Sequence, residues 1–196
     1  MKKTLKEARN MWKELNKPVK ISYENEKDSL YKYAAGYYEC GMTLINTLLD
    51  ENRYQELSEL SEAFRQENIK LEEESNIYPI MFLFRQYIEL IIKALHLEFE
   101  ITESKNIFAT HKISEIWPGL KEKLLLQEND NDELEGITEI LDEIIKKFSN
   151  IDDNSFCFRY PINQEKKPYF KNDKTDNLYE IRSDINVFDT LIHEFI

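Results

Sequence analysis

Four side chains able to do chemistry stand in a row on an otherwise apolar stretch: Arg85, Glu89, Lys93 and His96. Their spacing of i, i+4, i+8 and i+11 keeps them within an arc of roughly 80° on one side of a helix. Almost every other residue from Ile80 to Leu97 is apolar or aromatic. A carboxylate between two cations, one helical turn from each, can pair with both. Arg85 and Lys93 would then hold an anion while Glu89 orients them. The plain alternative is a solvated strip on a helix that is buried elsewhere.

Two further segments carry candidate chemistry. His111 follows Thr110, a plausible helix N-cap. Near the positive end of a helix an imidazole is biased toward its neutral form, as a general base requires. Arg159 lies between aromatic residues in the stretch FRYP at 158–161. It reads either as an anion clamp, beside Lys166 and Lys167, or as the outer face of a hairpin. Tyr87, Tyr160 and Tyr169 are candidates for stacking on a base. Asp152 and Asp153 just upstream either orient His111 or Arg159, bind a metal, or open a turn. His96 and His193 read as structural. Catalytic candidates are therefore Arg85, His111 and Arg159, and ligand-binding candidates are Glu89, Lys93 and Tyr160. No HExxH, paired CxxC, EF-hand loop, GxxxxGK[ST], GxGxxG or GxSxG occurs, so neither a metal nor any other cofactor is expected.

Helices must position these residues. Helical periodicity runs through most of the 196 residues, with only four glycines and five prolines to interrupt it. The spacing predicts a short helix ending before Pro18, then helices over about 27–49, 54–71, 77–99 and 133–148. It predicts another that starts at Thr110 and is kinked or divided at Pro118 and Gly119, and a last one over 177–195. Gly36 and Gly41 are candidate points of close helix approach. The alternation of Phe156, Phe158 and Tyr160 has strand period, so a small β-hairpin or extended insertion is expected near residues 155–171. The expected architecture is an all-α, up-and-down bundle of about seven helices forming one domain over 1–196.

Composition sets the outer limits. Hydrophobic residues make up 41% and charged residues 33%, which is globular rather than disordered. Two cysteines make no disulfide framework, and neither a signal peptide nor a membrane span is evident. A cytoplasmic protein with no membrane partner is expected. The net charge of −12 excludes a broad nucleic-acid-binding face. It leaves room for local basic sites: residues 1–20 carry seven Lys/Arg against two acids, and residues 159–174 carry five against two.

Taken in order, the stretches RQYIELIIK (85–93), HKISEIW (111–117) and FRYP (158–161) resemble bacterial HEPN-like helical proteins, found in toxin–antitoxin and phage-defence settings. The resemblance covers roughly residues 76–196 and leaves the N-terminal part, 1–75, outside it. It implies a helical bundle that forms a homodimer and, in active members, metal-independent cleavage of RNA. Those members carry an arginine followed four to six residues later by a histidine. None of the six arginines here has that neighbour; Arg85 and His96, like Arg182 and His193, are eleven residues apart. An active site would have to be assembled across segments from Arg85, His111 and Arg159. The alternative is a non-catalytic helical module that docks a protein partner or a nucleotide-like ligand.

Overall fold

The computed structural model describes residues 25–50, 62–101, 107–126, 131–169 and 177–196, the backbone alone for 62–75 and 131–133. Among these residues it is all-helical: α1 (Glu26–Leu49), α2 (Glu62–Glu98), α3 (Ile113–Leu125), α4 (Asn131–Asp152) and α5 (Leu178–His193). The helix expected before Pro18 lies outside the described residues.

α1 begins where Asn25 accepts a hydrogen bond from the Asp28 amide at 2.8 Å, satisfying one of the free donors of the first turn. Its stripe of Ala34, Gly41, Ile45 and Leu48 is buried against α2, the most extensive helix pair of the fold. Gly41 allows that approach: a Cβ there would run into the Phe84 ring. Gly36 has no such role, since a Cβ would meet nothing within 4 Å.

α2 corrects the expected division between 54–71 and 77–99, because its 37 residues run without a break through Pro79. An interior proline loses one helical hydrogen bond and crowds the carbonyl four residues back, a cost of about 3 kcal/mol. Pro79 stands on the exposed side, where water can satisfy the freed carbonyl. The residues after it (Ile80, Phe84, Ile88, Ile91, Ile92 and Leu95) are all buried in the core. Burying each such side chain stabilises by about 1.5–3 kcal/mol, which outweighs the local loss. The count of about seven helices is thereby lowered, and five are described.

α3 is likewise undivided at Pro118, and it starts at Ile113 rather than at Thr110. Its buried side, Ile113, Ile116, Trp117, Leu120 and Leu124, faces α2 and α4. Trp117 anchors it to α4 by donating from Nε1 to Asp142 at 2.8 Å. α5 follows its predicted period closely, burying Leu178, Ile181, Ile185, Phe188 and Ile192, with Asn177 as its cap.

The expected hairpin does not form. The described residues of 155–171 form a chain of turns with one isolated bridge, Ile162 to Pro168. The amides of Arg159 and Tyr160 both donate back to the Phe156 carbonyl at 3.1 Å, which curls the segment that alternation would have extended. Asn163 closes the following turn by accepting from the amides of Glu165 and Lys167. Pro161, beside the bridge, accepts from the Tyr169 amide at 3.3 Å but has no N–H to return the bond, so the ladder goes no further on that side.

Candidate functional site

The polar line on α2 is not a solvated strip. Arg85, Glu89, Lys93 and His96 are all at most 4% exposed. Burying charges is costly unless they are paired and every donor is used. Here two segments of backbone arrive to use them. Arg85 donates from Nε to the Asp152 carbonyl at 3.0 Å and from Nη2 to the Asp153 carbonyl at 2.7 Å. It also donates to the His111 carbonyl and to the Glu89 carboxylate. Lys93 donates to Glu89 at 2.7 Å and to the Thr110 carbonyl at 2.8 Å. Two cations thus face one carboxylate and four main-chain oxygens. Those of Asp152 and Asp153 belong to the C-terminal end of α4, where the unsatisfied carbonyls carry partial negative charge.

Glu89 is the electrostatic centre. Burial pushes its carboxyl upward, but the Lys93 hydrogen bond and the charges of Arg85 and Lys93 outweigh that, and the group is held below the usual carboxylate range. It is therefore ionised and can only accept hydrogen bonds. Its Oε1 lies 2.9 Å from Nδ1 of His111. A carboxylate there requires the hydrogen on Nδ1, which leaves Nε2 of a neutral imidazole as an acceptor. The Glu89 side chain is 1% exposed and the His111 side chain 57%. An oriented imidazole thus stands at the surface above a buried carboxylate.

His111 does not sit on a helix end. Lys112 is the residue before α3, and Thr110 caps the approach instead, accepting from the Lys112 amide at 3.1 Å. The helix is capped from a distance: Asp153 accepts from the Ser114 amide at 3.0 Å and from its hydroxyl at 2.6 Å. The feature that sets the His111 tautomer is therefore Glu89. Asp152 and Asp153 open a turn, as one of their readings had it. Asp152 accepts from the amides of Phe156 at 2.8 Å and Phe158 at 3.5 Å.

Arg159 and Tyr160 lie outside the buried network. Arg159 is exposed, donates from Nε to the Ser155 carbonyl, and rests 5.0 to 5.9 Å from the ring centres of Phe156, Tyr160 and Phe82. Lys167 is paired with Glu165. Tyr87, in contrast, is buried, with its hydroxyl donating to Asp189 at 2.5 Å. That corrects its reading as a base-stacking residue. Its phenol is pushed up, first by burial and then by Asp189.

The three catalytic candidates therefore do not converge as side chains. Arg85 instead ties together the backbone segments that carry the other two, holding residue 111 on one side and 152–153 on the other. Nothing in the sequence marks a carbonyl as an acceptor, so this role is invisible there. His96 takes its structural reading, with Nε2 2.7 Å from the Ile116 carbonyl and burial lowering its pKa.

Among the described residues, no group of three or more His, Cys, Asp or Glu is placed to hold a metal ion. No helix among them is long and apolar enough to cross a membrane. An open apolar groove of about 430 Å³ lies between α1 and α2, lined by Glu26, Leu30, Tyr33, Leu90 and Phe108 among others. No polar-line residue lines it, so its hollow shape does not make it the seat of the chemistry. Comparison with family models, curated proteins and solved structures gives no match.

Proposed function

We propose that this chain is a HEPN-like protein of a bacterial defence or toxin-type system that acts on RNA or a nucleotide, with His111 handling the proton. The supporting observation is the contact between buried Glu89 and the exposed imidazole of His111. A carboxylate that fixes the tautomer and stabilises the imidazolium formed on protonation is what a general base needs. In RNA cleavage the 2′-oxygen attacks the adjoining phosphorus and its proton passes to Nε2 of His111. The bond to the 5′-oxygen breaks, and that oxygen takes a proton from solvent. Arg85 and Lys93 act as positioning residues, since their donors are directed to Glu89 and the backbone.

The test is incubation of labelled oligoribonucleotides and total RNA with the purified protein in EDTA. Wild type should cleave, and His111→Ala should lower the rate by about 10²–10⁴-fold. Equal rates in the two proteins, or no cleavage by either, would remove the reading. A second reading is a non-catalytic module for a protein partner or nucleotide-like ligand. It is favoured by the commitment of Arg85 and Lys93 to main-chain carbonyls, as a folding staple requires. In that case His111→Ala leaves every activity assay unchanged while Arg85→Ala destabilises the fold.

A further inference from the structure

The turn after α4 presents an arrangement that the His111 chemistry does not use. Arg159 is an exposed cation with its Nε committed to the Ser155 carbonyl, and no carboxylate among the described residues pairs with its remaining donors. Its planar guanidinium lies 5.0 Å from the centre of the Phe156 ring and 5.8 Å from that of Tyr160. Both rings are themselves exposed, at 42% and 53%. Such apolar faces in water beside a cation are matched by a flat, polarisable, anionic ligand.

The platform is also held in shape. Asp152, 5% exposed, accepts from the Phe156 and Phe158 amides. Ser155, at a φ of 60°, donates its hydroxyl to Gln86 of α2 at 3.2 Å. A surface fixed in advance loses little conformational freedom on binding.

Charge narrows the ligand. A body of net charge −12 repels a long polyanion, while Arg159, Lys166 and Lys167 against the single acid Glu165 across 159–169 favour a short anionic contact. In a duplex the base faces are stacked and hidden; only an unpaired strand offers them to aromatic side chains. We propose that Phe156, Arg159 and Tyr160 form a binding site for an unstacked nucleobase and its adjoining phosphate in a short single-stranded RNA. The choice of RNA rests on the function proposed above, whereas the site itself rests on the exposed rings and the arginine.

The test separates the two. Fluorescence anisotropy with a labelled twelve-residue oligoadenylate, using full-length His111→Ala protein in EDTA, measures binding without cleavage. The single strand should bind. Arg159→Ala and Tyr160→Ala, each added to that background, should weaken it about tenfold or more. Arg159→Lys should weaken it too, because an ammonium cannot lie flat between rings. Annealing the strand to oligouridylate should also cost about tenfold or more. Circular dichroism and urea midpoints confirm that the variants are folded. Absence of binding, equal binding by the variants, or equal binding of the duplex would overturn the site, whatever the cleavage assay shows. So would self-association that Tyr160→Ala abolishes in a protein that does not bind the strand. No cleavage by wild type in the first assay, or equal rates in wild type and His111→Ala, with binding intact here would instead remove only the enzymatic reading.

Discussion

Arg85 and Arg159 root two ends of the same turn, and both donate from Nε to a main-chain carbonyl. They differ in what is left over. Arg85 is closed in by three carbonyl oxygens and the Glu89 carboxylate, with no exposed surface. Arg159 leans on rings and keeps its outer donors in solvent. The same side chain is thus a structural hub in one place and an exposed side chain resting on rings, proposed above as a ligand contact, in the other. The acceptors around it decide which, not its identity or its place in a motif. The buried region supplies rigidity and orients His111; the exposed region offers contact.

Removing the hub should have the largest effect. Arg85→Ala leaves Glu89 and several carbonyls without their partner and should cost about 3–5 kcal/mol of stability, read from urea unfolding. It should also raise amide exchange in both attached segments, 107–112 and 152–158. A loss confined to one of them would show that Arg85 does not join the two.

Glu89→Gln should follow at about 3 kcal/mol, because Arg85 and Lys93 then face each other without a charge between them. Its pH dependence sharpens the comparison. A carboxyl whose folded pKa is depressed contributes fully above its ordinary value and loses that contribution as pH falls through the folded value. The wild type should therefore lose stability on acidification below about pH 4.5. The difference between wild type and Glu89→Gln should shrink there.

His96 gives a smaller and separate signal. Burial depresses its pKa, so the unfolded chain takes up a proton first as pH falls below the ordinary value of 6.5. Stability should decline from about pH 6.5 downward and level off below the folded pKa. That slope should vanish in His96→Gln, as followed by urea midpoints across pH. A slope that persists would place the titration elsewhere.

The smallest expected change is at the exposed arginine. Arg159→Ala should alter stability by under about 1 kcal/mol, since exposed cation–π contacts contribute little. A cost comparable to that of Arg85→Ala would break the contrast and make Arg159 a second structural hub.

Helical class, the stripes of α4 and α5, and the alignment of Arg85, Glu89, Lys93 and His96 could all be read directly from spacing. Repeating burial every three or four residues is a local property, written into the chain wherever a helix faces a core. The alternation of Phe156, Phe158 and Tyr160 misled for a related reason. Period two records which residues are apolar, but Ser155, Asp152 and the back-bonded Phe156 carbonyl bend that backbone into a turn. Pro118 reads as a break or kink from the sequence, yet α3 runs through it, because the packing of Ile113, Ile116, Trp117, Leu120 and Leu124 on both sides of it exceeds the local cost.

The amino-acid sequence by itself determined that the chain is helical and that one apolar helix carries a row of charges. Tertiary structure alone decided that those charges are buried, that their partners are the carbonyls of residues 110, 111, 152 and 153, and that Glu89 orients His111 while Arg159 stays in solvent. The physical reason is that periodicity is carried by side-chain type, whereas a carbonyl oxygen is the same at every residue. Which carbonyl meets a buried cation is settled only when distant segments pack together.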